Sequence, residues 1–191
     1  MLCTCYHVLL PHRFPDPPSG PVLRFRSSIT ESYAIGSPSA RYGGDGTVLG
    51  RVLEGVRSPT EDFAIAVLNP GTDASAVPVG ILKKTGPPRH LQDTQPGAGE
   101  TVTLIPGTGA ARSGQVLEYP ASTQVGFADY PLYPMQGLIA TSVPVEIGHS
   151  GGLLVDSAIR PLGLLVARSA DQARSYFLPI RAATTRGVTP L

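Results

Sequence analysis

Cys3 and Cys5 are the entire thiol inventory of a 191-residue chain. At i and i+2 of a strand they would share a face, a separation at which a disulfide rarely closes. The fold is therefore expected to hold without disulfides, which suits a reducing compartment, and the expected location is cytoplasmic. Charge of one sign is scarce too. The net charge is +1, and the densest basic patch is Lys83-Lys84 with Arg89. That patch is too small to track a phosphate backbone, so no nucleic-acid partner is expected. Long apolar runs are missing: no segment approaches the ~18 apolar residues of a membrane span. The opening "MLCTCYHVLLPHRF" has neither the basic start nor the apolar stretch of a secretory leader. No membrane partner is expected.

Turn residues, by contrast, are abundant. Gly 22 and Pro 20 cut the chain into many short apolar segments, the grammar of an all-β protein rather than a helical one. A hydrophobic content of 41% argues against wholesale disorder. Residues 11–45 read as long loops with one or two short strands. Strands are expected at 47–56, 62–68, 76–82, 101–105, 114–119, 136–143, 152–155, 162–167 and 175–180. Only the tail after Pro179 has room for a helical turn. The polar stretch 84–99 is the best boundary between two halves.

Chemistry concentrates in "GHSGG", residues 148–152. One reading is a loop between strands, since glycine and serine tolerate unusual backbone angles. The other makes Ser150 a nucleophile whose flanking glycines leave bare N–H groups facing a substrate carbonyl. A serine nucleophile needs a base, and the base needs an orienting carboxylate. Of the four histidines, His149 adjoins the serine and points away from it, His90 lies in the polar stretch, and His12 follows a proline in an irregular one. His7 stands in strand-like context, "LCTCYHVLL", where a packed structural histidine is the competing reading. Asp62 opens the most apolar strand, "DFAIAVL", at the junction of a polar turn and a buried segment. There a carboxylate partly out of water can fix a histidine tautomer.

In the order His7, Asp62, Ser150, these residues resemble the trypsin-like (chymotrypsin-fold) serine peptidases, including the bacterial HtrA-like group. "TCYHVL" (4–9) resembles the segment carrying the general base, and "DFAIAVL" (62–68) the strand carrying the aspartate. "GHSGGLLVD" (148–156) resembles the nucleophile loop, "PLGLLVA" (161–167) the strand that pairs with substrate backbone, and "SYFLPI" (175–180) the last barrel strand. The resemblance implies an all-β chain of two six-stranded antiparallel β-barrels, with 1–83 as the first barrel, 84–99 as the connection and 100–191 as the second. It implies a serine endopeptidase without metal or cofactor, acting on a polypeptide. Ser150 would attack, His7 would act as base and then acid, Asp62 would orient the imidazole, and the N–H groups of Gly148 and Ser150 would form the oxyanion hole. Pro144, Val145, Val166, Ala167 and Arg168 would line the pocket for the residue before the cleaved bond. With no aspartate among them, a small or medium aliphatic residue is the expected preference, and Glu146 is expected to be solvated.

Two departures stand out. Several strands precede the general base in this family, whereas six residues precede His7. An N-terminal truncation, an incomplete first barrel and a poorly held His7 are therefore expected. Position 149 carries histidine where pancreatic-type enzymes carry an aspartate that receives a newly cut N-terminus, so activation by such cleavage is not expected. Bacterial modules of this type are often parts of larger regulatory proteins, so fused or regulating domains are a partner expectation. Two alternatives remain: an inactive fold that binds peptides by adding a strand to a sheet edge, and zinc held by Cys3, Cys5 and His7.

Overall fold

The structure is a computed structural model. It describes residues 2–9, 23–26, 34–36, 48–70, 95–107, 109–126 and 132–180. The strand expected at 76–82, His12, His90, residues 84–94 of the connection and the tail after residue 180 lie outside the described residues.

The architecture is all-β, a sheet followed by a barrel. The first sheet contains β1 (Leu2–Thr4), β2 (Leu23–Arg26), β3 (Ala34–Gly36), β4 (Val48–Ser58) and β5 (Glu61–Leu68). Its order is β1-β5-β4-β2, with β3 paired to the start of β4. β4 and β5 form a tight hairpin around Pro59-Thr60, and its register sets Arg57 directly opposite Asp62. A closed barrel is made by β6 (Thr101–Ile105), β7 (Arg112–Val125), β8 (Tyr133–Thr141), β9 (Leu153–Asp156), β10 (Pro161–Arg168) and β11 (Ser175–Pro179). β7 runs well beyond the expected 114–119. It passes through Pro120, where register irregularities absorb the missing donor.

His7 does not lie on a strand. β1 ends at Thr4, and Tyr6–Leu9 form a single helical turn, α1. Four residues are too few for helical periodicity to show, and "TCYHVLL" reads as extended by composition alone. Cys3 and Cys5 accordingly do not share one strand face.

Two apolar clusters organise the molecule. One fills the barrel and includes Leu104, Val116, Ile139, Leu154, Leu165 and Phe177. The other joins sheet to barrel, packing Cys5, Val56, Phe63 and Ile65 against Met135, Leu138, Leu164, Val166 and Leu178. β10 therefore contributes to both. Leu162 and Leu165 face the barrel interior, and Leu164 and Val166 face the sheet. Burial on two sides explains why this antiparallel strand reads as a continuous apolar run instead of alternating. A backbone bond from Gln136 N–H to the Pro59 carbonyl, 2.7 Å, pins the β4–β5 hairpin to β8.

Candidate active site

Asp62 is fully buried, with 0% exposure. Burying a carboxylate is costly unless its oxygens are hydrogen-bonded. Here Oδ2 lies 2.7 Å from His7 Nδ1, and Oδ1 accepts the His7 backbone N–H at 3.3 Å. That N–H belongs to the first turn of α1 and has no intrahelical acceptor, so the aspartate satisfies it while gripping the ring. The expectation of a poorly held His7 is not met at this point, since Asp62 fixes both its backbone and its imidazole. An ionised carboxylate only accepts hydrogen bonds. A neutral His7 ring paired with that carboxylate therefore carries its proton on Nδ1.

Ser150 occupies a different environment, exposed on the turn before β9. Gly148, two residues earlier, has φ +95°, the left-handed region that favours glycine, and a Cβ there would meet nothing within 4 Å. The Gly152 N–H donates to the His149 carbonyl at 2.9 Å. A Cβ on Gly152 would lie 2.8 Å from that same oxygen and 2.8 Å from Leu104 Cδ1, so the turn closes only with glycine. Among the described residues, the N–H groups of Gly148 and Ser150 and the Ser150 hydroxyl have no hydrogen-bond partner.

One carbonyl ties the two halves together. Leu165 O, on β10, accepts the Gly151 N–H at 2.8 Å and the Cys5 thiol at 3.2 Å. Leu165 N–H in turn donates to the Gly152 carbonyl at 2.9 Å. The residue after Ser150 and the residue two before His7 thus meet on a single oxygen, 160 positions along the chain from Cys5. Cys5 Sγ, a ring nitrogen of His7 and a carboxylate oxygen of Asp62 all lie within 4.8 Å of one another. Sulfur, nitrogen and oxygen donors so grouped are a possible metal set. In this arrangement the thiol donates to Leu165 O, and the imidazole and carboxylate are paired with each other. The zinc set Cys3, Cys5 and His7 is not assembled on one strand, and the Cys3 side chain lies outside the described residues.

Solved structures share this architecture. A glutamic-acid-specific serine protease, reported to use a histidine triad in substrate binding, matches with a TM-score of 0.57 and 18% identity over 84% of this chain and 86% of that one. Cellulomonas bogoriensis chymotrypsin matches with a TM-score of 0.54 and 17% identity over 87% of this chain and 88% of the other. Thermobifida fusca protease A gives 0.51 and 19% over 73% of each. The chain has the chymotrypsin fold. No protein-family model and no curated protein matches it.

Within the chymotrypsin fold, the expected pocket residues divide by burial. Val166 is 3% exposed and faces the sheet, Ala167 is half-buried, and Arg168 is exposed with Nη1 donating to Gln172 Oε1 at 3.1 Å. Pro144 is exposed and Val145 is half-buried against the barrel cluster. Glu146 is exposed and pairs with Arg112 at 2.7 Å, which holds its carboxyl below the usual carboxylate range.

Two neighbours of the site, Arg57 and the Ser175–Thr141 pair, were not legible beforehand, whereas His149 was expected to point away from Ser150. Arg57 is 4% exposed, lies opposite Asp62 in the sheet, and places its guanidinium 4.4 Å from the centre of the Tyr133 ring. Burial lowers its pKa, opposed by the Asp62 charge. The Ser175 hydroxyl lies 2.7 Å from that of Thr141 and donates to the Val143 carbonyl at 3.0 Å, fixing the strand that leads into the 144–150 loop. His149 is 6% exposed, with its ring turned inward while Ser150 faces out. The pairing Arg57↔Asp62 is a register fact. The two-residue loop Pro59-Thr60 between apolar runs was the one local signal for it.

Proposed function

We propose that the protein is a serine endopeptidase acting through Ser150, His7 and Asp62. Ser150 Oγ attacks the scissile carbonyl as its proton passes to His7 Nε2; the new Oγ–C bond forms while the carbonyl π pair moves onto oxygen. The N–H groups of Gly148 and Ser150 receive that oxyanion, a contribution on the order of 3 kcal/mol per donor. Collapse of the intermediate breaks the C–N bond, and the Nε2 proton leaves with the amine. Water then repeats the sequence to release the acyl group. Asp62, accepting from Nδ1–H, stabilises the imidazolium throughout. HtrA-like kinship, a polypeptide substrate and a preference for a small or medium aliphatic residue before the cleaved bond form part of the same reading. The edge of β10 supports a peptide ligand: its pairing with β9 stops at Leu164, so beyond Leu165 one side of Ala167–Arg168 is paired to β11, past a bulge at Val166, and among the described residues no strand pairs with the other.

The observation that supports this reading is the shared acceptor Leu165 O, which takes the thiol of Cys5, two residues before the Asp62-bound His7, and the N–H of Gly151, next to Ser150. The test is labelling with a fluorophosphonate, which reacts only with an activated serine. A stoichiometric adduct on Ser150, absent from Ser150→Ala, is expected. A folded sample without adduct would turn the reading toward an inactive peptide-binding module.

A further inference from the structure

The turn that presents Gly148 and Ser150 is braced from below by a titratable ring. His149 Nδ1 accepts the Glu146 backbone N–H at 3.3 Å, and the Glu146 carbonyl accepts the His149 N–H at 3.1 Å. These two bonds, with Gly152 N–H on the His149 carbonyl, close the 146–152 turn onto itself. The first of them exists only while Nδ1 has a lone pair. A ring accepting at Nδ1 is the neutral tautomer protonated at Nε2; adding a second proton sets an N–H against the Glu146 N–H.

We propose that neutral His149 is the positioning residue of the oxyanion turn, and that protonating its ring releases the Glu146 N–H and loosens the Gly148–Ser150 donor pair. This rests on the acyl-transfer reading of Ser150. The groups facing the ring are Arg112 from β7 and Glu146 from the turn itself. Burial, aided by the Arg112 charge and opposed by Glu146, holds the His149 pKa below its ordinary value. The native state therefore binds this proton less readily than the unfolded chain does. The stabilisation is complete above about pH 6.5 and is lost as the pH falls from there through the lowered native value.

Two substitutions separate bracing from titration. Asn carries Oδ1 on Cγ, where histidine carries Nδ1, and so keeps an acceptor without a titrating ring; Leu keeps neither. At pH 8, His149→Leu is expected to lower kcat about 10- to 100-fold with KM little changed, below the about 10²–10³-fold cost of losing a whole oxyanion donor. His149→Asn is expected to recover most of that loss. On acidification, the fluorophosphonate labelling rate should fall more steeply in wild type than in His149→Asn, which carries no titrating ring at this position. The Glu146 amide ¹⁵N shift, which needs no catalysis, should move with the His149 ring titration in wild type and stay flat in His149→Asn. A Glu146 amide that ignores the ring titration, or a His149→Leu enzyme with wild-type kcat, would overturn the proposal. If Ser150 takes no label at any pH while the Glu146 amide follows the ring, the acyl-transfer reading fails and the bracing of the turn by His149 is supported.

Discussion

Asp62 and His7 sit where the first sheet is pressed against the barrel, whereas Ser150 sits on an exposed turn at the barrel surface. The first pair is held by burial: Asp62 has no contact with solvent, and its strand neighbour Phe63 is fully covered. The serine turn is held by backbone, through Leu165 at both its carbonyl and its N–H, and by a glycine that leaves no room for a side chain. In the proposed mechanism the base must keep one tautomer and one orientation, which a buried carboxylate supplies, and the nucleophile must be reached by a substrate, so its support comes from behind. The two halves should therefore fail differently when perturbed.

The sharpest separation comes from Asp62→Asn. Its loss of the acceptor-only carboxylate permits the wrong imidazole tautomer, and kcat is expected to fall about 10⁴-fold in steady-state assays. A drop of less than tenfold would mean that His7 is oriented by something other than this carboxylate. The next effect is on stability. Phe63→Ala at the sheet–barrel contact and Phe177→Ala inside the barrel should each cost about 3–5 kcal/mol in urea unfolding, because both side chains are at 0% exposure. A cost for Phe63→Ala below about 1 kcal/mol would break the comparison, making the first sheet a loosely attached layer. The smallest effect is expected for Gly152→Ala. The added methyl meets the His149 carbonyl and Leu104, and overpacking of this kind costs about 1–3 kcal/mol. Because the strain falls on the serine turn, labelling of Ser150 should slow while the His7–Asp62 hydrogen bond, followed by the low-field Nδ1 proton signal, is unchanged.

The strands were readable in the sequence because apolar runs and turn residues are local. β6, β10 and β11 fall within a residue or so of the segments expected at 101–105, 162–167 and 175–180. Gly148-His149-Ser150-Gly151-Gly152 and the aspartate opening "DFAIAVL" were visible for the same reason. What escaped reading depends on partners distant in sequence. Nothing local says that Cys5 donates to Leu165, or that Arg57 faces both Asp62 and Tyr133; these follow from cross-strand register and from the packing of sheet on barrel. His149 was read as pointing away from Ser150, and its ring is indeed inward, but its bond to the Glu146 N–H needed the turn's geometry. The one-turn helix around His7 was missed because a four-residue segment carries no period.

The carbonyl of Leu165 serves both lobes at once, and the Cys5 sulfhydryl that docks on it is wholly sealed from solvent. Any parting of sheet from barrel must undock that sulfur first, whereas the Gly151 amide, belonging to the barrel, can stay put. Separation of the sheet from the barrel and unmasking of the thiol are then one event, and the cysteine becomes an internal gauge of how far the two lobes part.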